Sequence, residues 1–174
     1  GLITGPASHG SSRMITSFSP ELFLRIRDRN VMTAPIKGTA PRGLDDRGAV
    51  ALRASAKDAA ENIMIVDLMR NDLSRVCRPG TVAVQDLLTI KPHPGVWHLV
   101  SAVRGELDGQ ATIGQLLAAA FPPGSVTGAP KIAAQQGIAD LEVEPRGAYT
   151  GSIGLISPVA GADFSVLIRT FEIT

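Results

Sequence analysis

Sulfur, aromatic rings and net charge are all scarce in this chain, and each scarcity removes a class of function. Cys77 is the one cysteine among 174 residues, so neither an intrachain disulfide nor a cluster of thiolate metal ligands can form. Aromatic residues make up 4% of the chain and the formal net charge is +1. No run of Lys and Arg and no ladder of stacking rings is present for nucleic acid; the arginines of Arg25-Ile26-Arg27-Asp28-Arg29 alternate with other residues, as along a solvated strand edge. Every apolar run is far shorter than the roughly 20 residues of a membrane-spanning helix. The start, Gly1-Leu2-Ile3-Thr4-Gly5-Pro6, lacks the basic-then-apolar order of a secretory signal. The expectation is a cytoplasmic protein with no nucleic-acid or membrane partner.

What is present is apolar substance: 44% of residues are hydrophobic, enough for one domain of ordinary size. Residues 1–13, rich in glycine and serine, read as a flexible lead or a cut through a longer protein, and residues 14–174 as the domain. Met14-Ile15-Thr16-Ser17-Phe18 reads as a short strand. Ser19-Pro20-Glu21 has the form of a helix start, with Ser19 as cap, so a short helix is expected over Glu21 to Ile26. Val31 to Ile36 reads as a strand that ends near Pro35, and Gly38, Pro41 and Gly43 as the turn after it. A polar loop follows over Leu44 to Gly48. The strongest helix signal runs from Ser55 to Val76, where Ser55-Ala56-Lys57-Asp58 resembles a capping box and the apolar positions cover much of the circumference, implying burial on several sides.

Further on, Thr81 to Val84 and Val96 to Val103 read as strands separated by an irregular Leu87 to Gly95. Ile113 to Phe121 and Pro130 to Leu141 read as helices, and Tyr149 to Ile156 with Asp163 to Ile173 as an antiparallel hairpin. Strands and helices occur without βα alternation, which points to an α+β (mixed α/β) fold of largely antiparallel sheets packed with helices.

Several side chains stand out chemically. Lys37, between a strand and a glycine-rich turn, reads either as a solvated lysine or as an amine aimed at a pocket. Glu61, in the early turns of a helix, is either an ordinary surface carboxylate or a metal ligand. Asp67 to Asp72 favour a structural network joining the helix end to nearby loops. His98 lies on an apolar strand face, where a satisfied core histidine is the commoner outcome. Ser125 to Lys131, ahead of a helix N-terminus, suits an anion or simple capping equally well. Arg169, late in a core strand, wants an anionic partner. Together with Tyr149, these residues would suit a small anionic substrate, with Lys37 as nucleophile if its amine is held neutral.

Seven blocks in order resemble the successive motifs of the chorismate-utilising enzymes: Ser19-Pro20-Glu21, Pro35-Ile36-Lys37-Gly38-Thr39, Glu61 to Asp72, His98-Leu99-Val100-Ser101, Gly124 to Lys131, Tyr149 to Gly154 and Ile168-Arg169-Thr170. Pro-Ile-Lys-Gly-Thr resembles the aminodeoxychorismate synthase branch, whereas anthranilate synthases usually carry alanine where Lys37 stands. The resemblance implies an anthranilate-synthase-like chorismate-binding fold and a reaction. Lys37 adds to C2 of chorismate as the C4 hydroxyl leaves; ammonia then attacks C4 and expels the lysine, giving 4-amino-4-deoxychorismate for para-aminobenzoate and folate synthesis.

By the same resemblance, His98 and Glu21 assist the proton transfers, Glu61 helps to hold Mg²⁺, and Tyr149 and Arg169 bind the enolpyruvyl carboxylate. Gly38, Thr39 and Ser125 line the site, and a glutamine amidotransferase subunit supplies ammonia. Pro123 departs from the glycine common at its position, stiffening the turn. Family members continue beyond the arginine motif into a glycine-rich loop and a helix whose glutamates complete the Mg²⁺ site, and they carry a long N-terminal portion. The expectation is therefore a partial domain with half a metal site. The alternatives are an anthranilate synthase or related chorismate enzyme, and a non-catalytic fragment that keeps only fold or partner docking.

Overall fold

The computed structural model describes residues 2–6 and 12–173. β1 (Leu2–Pro6) and β2 (Ser12–Ser17) pair antiparallel, and the last strand of the chain joins the other edge of β2. The parts of the expected flexible lead that are described are thus paired strand, and residues 7–11 lie outside the described residues.

β3 (Leu22–Arg27) occupies the stretch expected to be helical. The Ser-Pro-Glu signature is outweighed by alternation: Leu24 and Ile26 are buried, while Arg25 and Arg27 point outward and both bond Asp163 on the neighbouring strand. A period of two buries one face of a strand and would scatter apolar residues around a helix. β4 (Asn30–Ala34) and β5 (Ile36–Pro41) are one extended run broken at Pro35. Lys37 and Gly38 therefore lie within a strand rather than in a turn. The expected loop over Leu44 to Gly48 is instead the approach to α1 (Arg47–Ala54) and its first residues.

α2 (Ala56–Ser74) begins as expected, with Ser55 Oγ accepting from the Asp58 N–H at 3.2 Å. Burial on several sides is not found. Asn62, Ile65, Val66, Met69, Asp72 and Leu73 are buried, whereas Ile63 and Met64 are exposed, the one-sided pattern of an amphipathic helix. β6 (Ala83–His93) and β7 (Val96–Glu106) form a long hairpin, so the stretch expected to be irregular is strand. β6 covers one edge of β7, and β4 and β5 run end to end along the other.

α3 (Ile113–Ala120) starts in a capping box between Thr112 and Gln115. A 3-10 turn over Gly124–Val126 leads to α4 (Lys131–Leu141). β8 (Ser152–Ser157) and β9 (Gly161–Val166) make the expected hairpin, and β10 (Thr170–Ile173) crosses to β2. The larger sheet runs β5-β7-β4-β3-β9-β8, with β6 beside β7. Its pairings are antiparallel, and α2 packs across it over a core that includes Phe23, Leu24, Ile65, Leu73, Val103 and Leu116. The expected α+β architecture is what the chain adopts.

Candidate functional site

The backbone at Lys37 is shaped by one extra residue. Ile36 lies opposite Val100 and Thr39 opposite His98, so three steps on β5 face two on β7, the signature of a bulge. Gly38 sits inside it at φ +98°, a region that favours glycine. A β-carbon there would meet Asp58 at 3.1 Å and Leu52 at 3.2 Å, so the glycine also lets α1 and the first turn of α2 close on the strand.

From this bulge Lys37 Nζ donates to the Ser125 carbonyl at 3.2 Å, joining β5 to the 3-10 turn. Glu21, just before β3, is 7% exposed. Burial raises its pKa above the ordinary carboxylate value, with the nearby Ser125 hydroxyl and the Lys37 charge pulling the other way. No ion pair within 4 Å links Glu21 to Lys37 among the described residues. Ser125 Oγ is itself buried, beside the Glu21 carboxyl.

Thr39 and His98 face each other across β5 and β7, with Thr39 Oγ1 at 2.9 Å from His98 Nδ1. His98 is 5% exposed, and His93 from β6 packs edge-on against it, ring centroids 4.9 Å apart. Burial, then the positive ends of His93 and Arg169, hold the His98 pKa below its ordinary value, which favours the neutral imidazole. The floor beneath is a closed network: Asn62 donates to the Leu99 carbonyl at 3.3 Å, Ser101 Oγ bonds Asn62 Oδ1, and the Leu88 N–H donates to Ser101 Oγ at 3.0 Å.

Glu61 precedes Asn62 on α2, which places it beside the turn that meets β7. It is half-buried and 4.0 Å from Lys57 Nζ. Among the described residues no group of three or more His, Cys, Asp or Glu side chains converges. A single carboxylate still suits Mg²⁺, which takes one or two protein carboxylates and completes its shell with substrate oxygens and water.

Two expected positions differ. Arg169 is not part of a core strand: it is an exposed residue at φ +49° in the bend between β9 and β10, within electrostatic reach of His98. Tyr149 precedes β8 instead of lying in it, is 62% exposed, and lines a cleft of about 420 Å³ with Val126, Thr127 and Arg146. No direct contact brings it to Lys37. The loop lysine Lys131 is spoken for, since its Nζ bonds Asp72 Oδ2 and the Ala120 carbonyl. This bears out the structural network expected at the end of α2 and leaves that ammonium no free role with an anion.

His93 escaped the sequence reading, because Pro92 and Pro94 masked the strand that carries it. Asp58 was read only as part of the α2 cap, and its packing against Gly38 was not foreseen.

The chain resembles known proteins over nearly its whole length. It is 49% identical over 160 residues to aminodeoxychorismate synthase component 1 of Escherichia coli (strain K12), covering 90% of this chain and 35% of that protein. It is 44% identical over 163 residues to anthranilate synthase component 1 of Methanothermobacter thermautotrophicus, covering 91% and 35%. The crystal structure of anthranilate synthase component I from Streptococcus pneumoniae TIGR4 superposes with a TM-score of 0.84 at 35% identity, over 99% of this chain and 38% of that one. The chain thus spans about a third of the length of these relatives. With the pattern of the chorismate binding enzymes matching residues 7–174 as well, the chain belongs to that family.

Proposed function

We propose that this chain is part of an enzyme that aminates chorismate at C4, giving 4-amino-4-deoxychorismate. The observation that carries the reading is the placement of the Lys37 amine, fixed at the Ser125 carbonyl beside the buried Glu21. Relatives named aminodeoxychorismate synthase component 1 and relatives named anthranilate synthase component 1 are similar to this chain at close levels, 47–49% and 44–46%. Overall identity therefore does not choose between the two reactions. Lys37 favours the first, because a nucleophilic amine at that point can form a bond to C2 while the C4 hydroxyl departs.

Ammonia adds at C4 in the second half, the lysine leaves C2 with its electron pair, and the enolpyruvyl group stays in place. A raised pKa suits Glu21 to give a proton to the departing hydroxyl. A neutral His98, with Nδ1 held by Thr39, has Nε2 left for proton exchange. Gly38 and Thr39 line the wall, and Arg169 and Tyr149 contribute charge and a phenol for the substrate carboxylates. Glu61 would hold Mg²⁺, which supplies positive charge against a substrate carboxylate. The name component 1 carried by the relatives points to a partner component, and a glutamine amidotransferase delivering ammonia fits that place.

The test supplies chorismate, Mg²⁺ and ammonium to the full-length protein that carries this segment and identifies the product. Aminodeoxychorismate supports the proposal, anthranilate with pyruvate supports the other reaction, and no turnover supports a non-catalytic role. Lys37→Ala should lower aminodeoxychorismate formation by about 10³-fold or more; an undiminished rate would sink the covalent route.

A further inference from the structure

The buried amide of Asn62 touches two irregular points of the sheet at once. β7 has β5 along one side and β6 along the other, and each neighbour carries a surplus residue. Ile36 and Thr39 of β5 lie opposite Val100 and His98, so Leu99 is the residue that faces the bulge holding Lys37 and Gly38. Asp86 and Thr89 of β6 lie opposite Ala102 and Val100, so Ser101 faces a bulge of its own, in which Leu88 takes φ +53°. Each bulge leaves ladder groups without their regular partners. Asn62, wholly buried on α2, donates to the Leu99 carbonyl at 3.3 Å and accepts from the Ser101 hydroxyl, which in turn accepts from the Leu88 N–H at 3.0 Å.

We infer that Asn62 is a positioning residue for the reaction proposed above, on which this inference rests: through Leu99 it fixes the bulge from which Lys37 reaches Ser125. Packing alone would not call for an amide at this point. An apolar side chain of similar volume would fill the space without the cost of burying polar groups, and it would leave β7 free to shift against the bulge. The amide instead ties α2, β7 and β6 by bonds of fixed direction, and a fully bonded buried network holds one arrangement against slipped alternatives. His98 is subject to the same hold, since it precedes Leu99 and pairs with Thr39 at the far side of the bulge. A displacement of about 1 Å in a reacting group can cost about 10²-fold in rate, so the loss of the amide should fall on kcat.

The experiment measures kcat and the chorismate KM of the full-length protein with ammonium and Mg²⁺, in variants whose near-ultraviolet circular dichroism shows them folded at the assay temperature. Asn62→Leu, close in volume, is expected to lower kcat by about 10²-fold with the chorismate KM changed less than about twofold. Asn62→Asp separates positioning from mere filling, and decides the matter if Asn62→Leu does not fold. Its protonated carboxyl can both donate to Leu99 and accept from Ser101, as the amide does, whereas the ionised form has no proton to give. Burial raises the pKa of such a carboxyl, so the ratio of variant to unaltered kcat should fall by about tenfold or more between about pH 6 and about pH 9. The role is overturned, with the amination reaction left standing, by any of three results: a kcat in folded Asn62→Leu within about twofold of the unaltered value, a chorismate KM raised in proportion to the loss, or a ratio in Asn62→Asp that stays level with pH. Anthranilate as the product overturns that reaction, and the same variants then judge the role by chorismate consumed. No turnover by the unaltered enzyme refutes both.

Discussion

Lys37 and Lys131 each lie beside a buried carboxyl group, yet the fold leaves one pair open and closes the other. Lys131 Nζ is bonded to both Asp72 Oδ2 and the Ala120 carbonyl, and the two side chains are 13% and 5% exposed. Lys37 instead has a carbonyl as its hydrogen-bond partner, with Glu21 near but unpaired. The difference separates a lysine used as a fastener from one kept available. A closed buried pair resists change, because removing either partner strands the other charge away from water. An open amine has no such tie and can be spent on a reaction.

Exchanging the two roles by mutation tests this contrast. The largest effect belongs to Lys37→Ala, which should remove about 10³-fold or more of the amination rate while leaving thermal stability nearly unchanged. Lys131→Met should do the reverse, costing about 3–5 kcal/mol in urea unfolding because Asp72 is left alone. Equal stability losses in the two variants would erase the distinction. Gly38→Ala comes next: positive φ costs a residue with a β-carbon about 1–2 kcal/mol, and Asp58 and Leu52 stand in the way. Both stability and rate should fall.

A gentler effect concerns pH. The folded protein holds the His98 pKa below its ordinary value of 6.5, so the unfolded chain takes up a proton first as the solution is acidified. The stability contributed by neutral His98 is present above pH 6.5 and is lost as pH falls through the lower folded value. His98→Asn should flatten that part of the stability profile, measured by denaturant midpoints across the acidic range. The smallest effect is expected at Asp163, whose contacts with Arg25 and Arg27 are roughly half exposed. Asp163→Asn should cost less than about 1 kcal/mol.

The parts of this architecture that the sequence made legible are those where local chemistry and tertiary placement agree. Ser55 caps α2 and Pro35 separates β4 from β5 because each acts on its own stretch of backbone. Residues 22–27 went astray because Ser19-Pro20-Glu21 looks like a helix cap, while the pairing with β9 that makes the stretch a strand comes from residues far along the chain. Pro92 misled for a related reason: β6 lies at the outside of its hairpin, where a missing N–H need not break a ladder. In the site, Lys37, Ser125 and Glu21 converge, and Thr39 meets His98. Tyr149 does not join them through any direct contact, and its exposure could not be read from residue type. The His93 ring against His98 depended on a register that no local pattern announces.

The bulge at Gly38 can be stated as parity. A strand assigns its side chains to alternate sides by counting, and β5 contains one residue more than the count its partner keeps. Deleting either residue between Ile36 and Thr39 would make the ladder regular, with Ile36 still opposite Val100 and Thr39 still opposite His98 on the same face. What would be lost is the bulged segment from which Lys37 reaches the Ser125 carbonyl. For this segment, the number of residues is as much a part of the chemistry as their kind.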